Sequence, residues 1–338
     1  MDFKGSSILS ISQFERADIE ALFRIADTME PFAQRRKKTR VLEGAIMGSM
    51  FFEPSTRTRI SFGSAFNLLG GDVRETTGME ASSLVKGESL ADTARVLSGF
   101  SDIICMRHPQ AGSVAEFAAA SRVPVINGGD GDNEHPSQAL LDLYTIGKEL
   151  SGKGREIDGL RIAMIGDLRY GRTVHSLCKL LMLFNEISVQ LVSPPELAMP
   201  QDLVEAMQQR GMNVIISDRL EPSIAHVDIV YSTRIQEERF PSRDEADLYR
   251  GRFRLNNAIY TEFCEPNTVI MHPLPRDSRG EANELDNDLD ANPNLAIFRQ
   301  TDNGLLVRMA LFAVILDIVH LVDNYLEEVS WYNPRLKS

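Results

Sequence analysis

The sequence predicts an α/β protein with two doubly wound parallel-sheet domains, joined by a linker helix, and a C-terminal helix that packs back on the first domain. Short apolar segments alternate with amphipathic segments along the chain, which is typical of parallel strands covered by helices on both faces. At 338 residues the chain exceeds one ordinary hydrophobic core. A stretch rich in glycine, serine and charge at 151–159 separates two alternating series. We therefore predict a first domain at 1–152, to which the helix 304–338 returns, and a second domain at 153–303.

The composition limits the classes of binding partner and the cellular compartment that we expect for the protein. Hydrophobic residues make up 43% and charged residues 25% of the chain, as in globular proteins. The net charge of −12 argues against nucleic acid or an anionic membrane as a partner. Cys105, Cys178 and Cys264 have no Cys-x-x-Cys spacing, which predicts free thiols in a reducing compartment.

The sequence shows no secretory or membrane-spanning pattern. Residues 1–12 lack a basic region followed by an apolar core. In the most apolar segment, 304–322, the longest uninterrupted apolar run is 309–316, far short of the ~20 residues that span a bilayer. We therefore expect a cytoplasmic protein with no membrane partner.

The first functional motif is Ser55-Thr56-Arg57-Thr58, which we name the anion turn. The apolar run 45–52 before it predicts a buried strand, and a helical pattern starts at about Thr56. The N–H groups and the positive dipole end of a helix N-terminus favour phosphate, and arginine can hold two oxygens at once. A capped surface helix with solvated arginines is the alternative. We expect Arg59, directly after the turn, to make a structural ion pair.

Further polar side chains follow later strands of the first domain. After the helix of the anion turn, the predicted elements are a strand at 72–76, a polar loop at 78–87, a helix at 88–100, a strand at 102–106, a helix at 113–120, a strand at 124–126, a loop at 127–133 and a helix from 136 to 150. Arg107 follows one of these strands, and His135 and Gln138 follow another. Because ligands of open parallel sheets bind outside the carboxyl ends of the strands, we expect these residues and Arg57 at one crevice.

The second domain repeats this arrangement. Its predicted strands lie at 161–166, 188–193, 213–217, 228–232 and 268–271. The residues that follow these strands include Arg172, then Arg234 with Gln236, then the segment 272–276. Arginines without a second anion turn suggest a carboxylate-bearing substrate in this domain, beside a phosphate-bearing substrate in the first.

The motifs also exclude several chemistries. There is no Gly-x-x-x-x-Gly-Lys-Ser/Thr sequence, and Gly166-Asp167 lacks the glycine pattern of a dinucleotide site. The six histidines are scattered and show no metal-ligand spacing. Neither a Gly-x-Ser-x-Gly elbow nor a reactive-cysteine signature occurs. Group transfer by direct attack remains, catalysed by positioning and charge stabilisation without a cofactor or metal.

Five segments jointly resemble the aspartate/ornithine carbamoyltransferase family. They are 55–59, 106–109, 135–138, 167–172 and 272–276. The resemblance runs from about residue 51 to about residue 308. In that family, proline after the histidine of the last segment is typical of members that use aspartate, and cysteine of members that use ornithine. The chain has Pro273, and Thr233-Arg234-Ile235-Gln236 resembles the aspartate-binding segment.

The resemblance implies transfer of the carbamoyl group of carbamoyl phosphate to the amino group of L-aspartate, on the route to pyrimidines. The phosphate would be held by the anion turn, Ser55, Thr56, Arg57 and Thr58. Arg107, His135 and Thr58 would polarise the carbamoyl oxygen, and Gln138 would bind the carbamoyl amide. Domain closure would exclude water from the reacting group.

The resemblance also implies how aspartate binds. Arg172, Arg234 and Gln236 would bind its two carboxylates. The backbone carbonyls of Pro273 and Leu274 would bind substrate amino groups.

A homotrimer with shared active sites is a further implication. Ser82 and Lys86 would reach in from a neighbouring subunit to bind phosphate, with Ser83 as the alternative to Ser82. Regulatory chains are possible additional partners. An insertion at 277–282 and a long tail after residue 321 depart from the family pattern, and both could alter subunit packing.

Two other functions stay open. The first is a sibling enzyme that carbamoylates another amine such as ornithine, which Pro273 disfavours. The second is a catalytically silent homologue that acts as an assembly scaffold. Such a protein should have lost anion-site residues, yet Arg57, Lys86 and Arg234 are all present.

Overall fold

The computed structural model contains two larger parallel sheets, one in each of two units of the chain. It describes residues 1–78, 87–237, 240, 242–277, 283–331 and 333. Unit 1 comprises Met1–Leu141 and Asp302–Ser338, and unit 2 comprises Asp142–Thr301. The chain enters unit 2 within helix α6 (Pro136–Ser151) and leaves it within helix α12 (Ile297–Ile315).

Unit 1 is built around a parallel sheet. Besides α6 and α12, the helices and strands of unit 1 are α1 (Arg16–Thr28), α2 (Glu30–Ala33), β1 (Lys37–Thr39), β2 (Ile46–Phe51), α3 (Thr56–Leu68), β3 (Asp72–Thr77), α4 (Leu90–Leu97), β4 (Ile103–His108), α5 (Ser113–Ala120), β5 (Val125–Asp130) and β11 (Leu326–Glu328). The sheet has the order β3-β2-β4-β5. All residues of β2 except the first are buried, as expected for a central parallel strand.

The winding of unit 1 reverses beside β2. The chain moves from β2 to β3 on one side and then to β4 on the other side. Such a reversal leaves a crevice at the carboxyl ends of the two central strands. The helix that follows β2, α3, is fixed by Phe62 and Phe66, whose rings pack edge-on against Phe312 at centroid distances of 6.0 and 5.0 Å.

Unit 2 has the same design with five strands. Its elements are β6 (Arg161–Ile165), α7 (Arg172–Leu181), β7 (Ser188–Val192), α8 (Gln201–Gln209), β8 (Asn213–Ser217), α9 (Leu220–Ile224), β9 (Ile229–Ser232), α10 (Arg243–Asp247), α11 (Asn257–Phe263) and β10 (Val269–Met271). The parallel order β10-β9-β6-β7-β8 reverses between β6 and β9. The prediction of an α/β protein with two doubly wound parallel sheets is therefore confirmed.

Two strands of unit 1 extend further than predicted. β4 includes Arg107, which was expected just past the strand, and β5 includes residues 127–130, which were expected in a loop. A register shift between Met106 and His108 lets the two strands stay paired. Gly128 in β5 allows a close backbone approach, because a Cβ there would lie 3.2 Å from the Met106 carbonyl oxygen.

The predicted C-terminal helix 304–338 is wrong at both ends. The helix α12 starts at Ile297 and ends at Ile315, because Asp317 has a φ of +54° and the Ile318 N–H bonds to the Ala313 carbonyl at 2.9 Å. A short 3-10 helix, Val319–Tyr325, then leads to β11, which pairs antiparallel with β1. Within the described residues no single helix is long and apolar enough to cross a membrane, and α12 with this 3-10 helix meets that criterion only as a pair bent by 108°.

Candidate active site

The anion turn lies at the N-terminus of α3, beside the winding reversal of unit 1. Ser55 is the N-cap residue, and its side chain makes no capping hydrogen bond. The first-turn N–H groups of a helix have no acceptor within the helix, so an anion bound there would complete their hydrogen bonding. Thr56 and Arg57 are exposed, whereas Thr58 is buried. The turn therefore offers both backbone and side-chain donors to an anion.

Arg107 lies beside the anion turn because β4 pairs with β2, and the N–H of Phe52 donates to the Arg107 carbonyl at 2.9 Å. Its guanidinium Nε donates to Glu53 Oε2 at 3.0 Å, and Nη1 lies 3.4 Å from the Gly128 carbonyl oxygen. Glu53 was not among the residues predicted from the sequence. The available signal was a single carboxylate two residues before an anion turn.

The loop before α6 holds His135 and Gln138 in place. His135 is 3% exposed, and its carbonyl accepts the N–H of Gln138 at 3.0 Å in the first turn of α6. The buried Asp130 carboxylate organises this loop, since it accepts the N–H groups of Gly112 and Glu134 at 2.9 and 3.2 Å. Asp130 is a positioning residue that was not predicted from the sequence, because its partners Gly112 and Glu134 lie in two separate loops.

Neighbouring side chains of unit 1 have structural roles. Arg59 donates to Glu75 on β3 at 2.5 Å, which confirms the expected ion pair. His108 is buried, and its Nδ1 accepts the N–H of Gln110 at 3.1 Å. Burial lowers the pKa of His108, which favours its neutral form. Burial also raises the pKa of the Cys105 thiol, which leaves it inert.

In unit 2, Asp167 connects the two strand ends at the winding reversal. Its fully buried carboxylate accepts the N–H of Tyr170 at 2.9 Å and the N–H of Gln236 at 3.1 Å. The first contact shapes the loop that leads to Arg172, the first residue of α7. The second contact fixes the segment after β9, which carries Arg234. These carboxylate contacts bring the predicted aspartate-binding residues to one edge of the sheet.

The segment after β10 reaches the same edge, because β10 neighbours β9. Pro273 and Leu274 are partly buried there, and the Leu274–Pro275 peptide bond is cis. His272 is buried directly before them. The ends of strands β6, β9 and β10 thus lie side by side at one edge of unit 2, followed by the segments that carry Arg172, Arg234 and Pro273.

Ser82, Ser83 and Lys86 lie outside the described residues, as do residues 278–282 of the predicted insertion. Among the residues that are described, no group of three or more histidine, cysteine, aspartate or glutamate side chains is arranged to hold a metal ion. The other predicted site residues form two sets, one in each unit.

Comparison with known families assigns a domain type to each half of the chain. Residues 6–148 match the model "Aspartate/ornithine carbamoyltransferase, carbamoyl-P binding domain". Residues 158–315 match the model "Aspartate/ornithine carbamoyltransferase, Asp/Orn binding domain". A relative from Cellvibrio japonicus, named aspartate carbamoyltransferase catalytic subunit, is 74% identical over 333 residues, which cover 98% of this chain and 98% of the relative.

Solved structures agree with these matches. Aspartate transcarbamoylase from Trypanosoma cruzi, in complex with carbamoyl phosphate and aspartate, is 41% identical with a TM-score of 0.85, covering 93% of this chain and 98% of that chain. The same enzyme in complex with N-(phosphonacetyl)-L-aspartic acid is 40% identical with a TM-score of 0.85, covering 93% of this chain and 97% of that chain.

Proposed function

Because the chain belongs to the aspartate/ornithine carbamoyltransferase family, we propose that it transfers the carbamoyl group of carbamoyl phosphate to the amino group of L-aspartate. The products are N-carbamoyl-L-aspartate and phosphate, as in an early step of pyrimidine biosynthesis. The observation that carries the proposal is the presence of arginines at both winding reversals, with a helix N-terminus of the phosphate-binding type at the first. The name of the Cellvibrio japonicus relative and Pro273 support aspartate as the acceptor.

Unit 1 would bind the carbamoyl donor. Its phosphate would be held by the residues of the anion turn, Ser55, Thr56, Arg57 and Thr58. Arg107, His135 and Thr58 would polarise the carbamoyl oxygen, and Gln138 would bind the carbamoyl amide. The burial of His135 and Thr58 supports these roles, because a donor in a poorly hydrated site stabilises developing charge more strongly than one in water.

Unit 2 would bind the acceptor. Arg172, Arg234 and Gln236 would bind the aspartate carboxylates, since guanidinium groups pair with carboxylates through charge-assisted hydrogen bonds. The carbonyl oxygens of Pro273 and Leu274 would accept hydrogen bonds from substrate amino groups. The convergence of strands β6, β9 and β10 supports this grouping.

The reaction is a direct substitution at the carbamoyl carbon. The unprotonated amine of aspartate forms a C–N bond as the C–O bond to phosphate breaks. The attacking nitrogen loses one proton, which the departing phosphate takes up. Negative charge on the carbamoyl oxygen in the transition state would be stabilised by Arg107 and His135, so the scheme uses no cofactor or metal.

The choice of acceptor can be tested with the purified chain. Carbamoyl phosphate is incubated with either aspartate or ornithine, and carbamoyl product and phosphate are measured. We expect product only with aspartate, in equal amount to phosphate. Product with ornithine alone would support the sibling activity, and no product with either amine would support the scaffold alternative.

A homotrimer with shared active sites belongs to the same proposal, as does a cytoplasmic location. Ser82 and Lys86 would contact the phosphate bound by a neighbouring subunit. A mixture of the inactive variants Lys86→Ala and His135→Ala should regain activity after joint refolding, because some sites would then combine two intact contributions. Lack of recovery, with trimers formed, would contradict shared sites. Sizing the chain purified from a cell extract tests for regulatory chains.

A further inference from the structure

Leu274 has an unusual backbone conformation at the proposed acceptor site. Its φ is +60°, in the left-handed region that is unfavourable for a residue with a Cβ. Such conformations persist when surrounding contacts hold them, and they are frequent at functional sites. Because the Leu274 carbonyl is a proposed substrate contact, the groups that hold this backbone are candidates for a role in binding.

The imidazole of His272 contacts the Leu274 backbone directly. The N–H of Leu274 donates to His272 Nδ1 at 2.8 Å. A backbone N–H can only donate, so Nδ1 carries no proton and the ring proton of the neutral imidazole is on Nε2. That nitrogen lies 2.8 Å from Glu284 Oε1. The Glu284 carboxylate therefore selects the tautomer that can hold Leu274.

Glu284 is itself fixed. It is 8% exposed, and His272 is 1% exposed, so water competes little for their hydrogen bond. The N–H of Asp277 donates to both Glu284 oxygens, at 3.1 and 3.3 Å. This leaves the carboxylate in one orientation, with one oxygen directed at the imidazole.

The backbone of His272 is anchored by a separate buried network. Its N–H donates to Gln300 Oε1 at 3.0 Å, and Gln300 Nε2 donates to Asp142 Oδ1 at 2.6 Å. The hydroxyl of Tyr231 donates to the other Asp142 oxygen at 2.6 Å. Burial raises the pKa of Tyr231, which keeps this donor protonated. Side chain and backbone of His272 are thus both fixed.

We propose that His272, oriented by Glu284, is a positioning residue that holds the Leu274 carbonyl in the direction of the amino-acid substrate. The proposal rests on the proposed function for the identity of that substrate. Nothing in it requires His272 to touch the substrate or to exchange a proton. Its role is to fix the Leu274 carbonyl, which belongs to a segment that looks like an ordinary loop in the sequence.

Two substitutions of the same histidine separate this role from simple space filling. In His272→Asn, the side-chain oxygen can take the place of Nδ1 and accept the Leu274 N–H, but the side chain is too short to reach Glu284. In His272→Gln, the amide nitrogen can donate to Glu284, but the side chain then has no acceptor at the position of Nδ1 for the Leu274 N–H. We expect an aspartate half-saturation within about threefold of wild type for Asn and about tenfold higher for Gln, the factor typical of one lost hydrogen bond.

Substitutions of Glu284 keep the test decisive if a His272 variant does not fold. Glu284→Gln retains an oxygen acceptor for the imidazole, whereas Glu284→Leu removes it and frees the proton to move to Nδ1. The Leu variant should raise the aspartate half-saturation about tenfold and the Gln variant should not. Tyr231→Phe is the matched control, because it removes the hydrogen bond to Asp142 and keeps the Gln300 contact to the His272 N–H and the His272 contact to Leu274. It should lower the melting temperature and leave the aspartate half-saturation unchanged.

The outcomes distinguish this inference from the proposed function. A wild-type chain that makes no carbamoyl aspartate overturns the proposed function, and the substrate contact with it. In an active enzyme, equal half-saturations for the Asn and Gln variants, or a larger increase for Asn, overturn the inference alone. Crystal structures add a readout independent of activity: the φ of Leu274 should stay near +60° in His272→Asn and leave that region in His272→Gln.

Discussion

Replacing Arg107 by alanine tests the proposed charge stabilisation most directly. The guanidinium Nε donates a hydrogen bond to Glu53 at 3.0 Å, and Nη1 makes a long contact of 3.4 Å with the Gly128 carbonyl oxygen. The Arg107 side chain is 12% exposed, so its field is only partly screened by water. Loss of one preorganised oxyanion donor typically costs ~10²–10³ in turnover, which corresponds to about 3–4 kcal/mol in the barrier.

This loss should occur in a folded protein. The partner that Arg107→Ala leaves behind, Glu53, has a side chain that is 21% exposed, and breaking an ion pair with access to water costs about 1 kcal/mol or less. Turnover would be measured as phosphate release at saturating substrates, with the melting temperature as the folding check. Arg59→Ala, which removes an arginine paired with Glu75, is the control and should keep its turnover. Turnover of Arg107→Ala within about threefold of wild type would refute the role assigned to Arg107.

Three further predictions concern unit 2. Arg234→Ala should raise the aspartate half-saturation about tenfold to a hundredfold, because a charge-assisted hydrogen bond is lost, and unchanged saturation curves would contradict its carboxylate role. Gly166→Ala should lower the melting temperature and the activity, because the φ of Gly166 is +115° and the new Cβ would lie 2.2 Å from the Thr233 carbonyl oxygen. A variant as stable as wild type would show that the backbone can relax to relieve this contact. Burial alone would raise the pKa of Asp228, but hydrogen bonds from two arginines outweigh this effect and hold the pKa below 3.8. The ionised carboxylate of Asp228 therefore stabilises the fold at pH values above the ordinary aspartate pKa of ~3.9. This stabilisation is lost as the pH falls through the lower pKa of the folded state. The difference in melting temperature between wild type and Asp228→Asn should be constant from about pH 5 to 7 and shrink below about pH 4. A difference that grows on acidification would contradict a lowered pKa for Asp228.

Local signals were enough to predict the parts of the site that local chemistry determines. The start of α3 at Thr56 was predicted from the helical pattern that follows it, and the start of α6 at Pro136 from the preference of proline for the first helical position. The alternation of short apolar segments with amphipathic segments along the chain predicted both parallel sheets. These features depend on residues that are neighbours in the sequence.

Features that depend on distant residues could not be predicted. The glycine-rich end of β5 reads as a loop, because the sequence does not show that Gly128 approaches the Met106 carbonyl. The end of α12 depends on Asp317, whose carboxylate accepts a hydrogen bond from Lys4 at 2.6 Å. The carboxylates that organise the site, such as Asp167 and Glu284, look like ordinary surface acids until their backbone partners are known.

The pairing of β1 with β11 constrains how the protein folds during synthesis. Lys37 is opposite Glu328 in this small sheet, so β1 leaves the ribosome long before its partner exists. Unit 2, by contrast, is one continuous stretch of sequence. The second unit can therefore complete its hydrophobic core while the first still awaits its last strand, and a nascent chain halted before residue 326 exposes an unpaired strand edge of the kind on which aggregation starts.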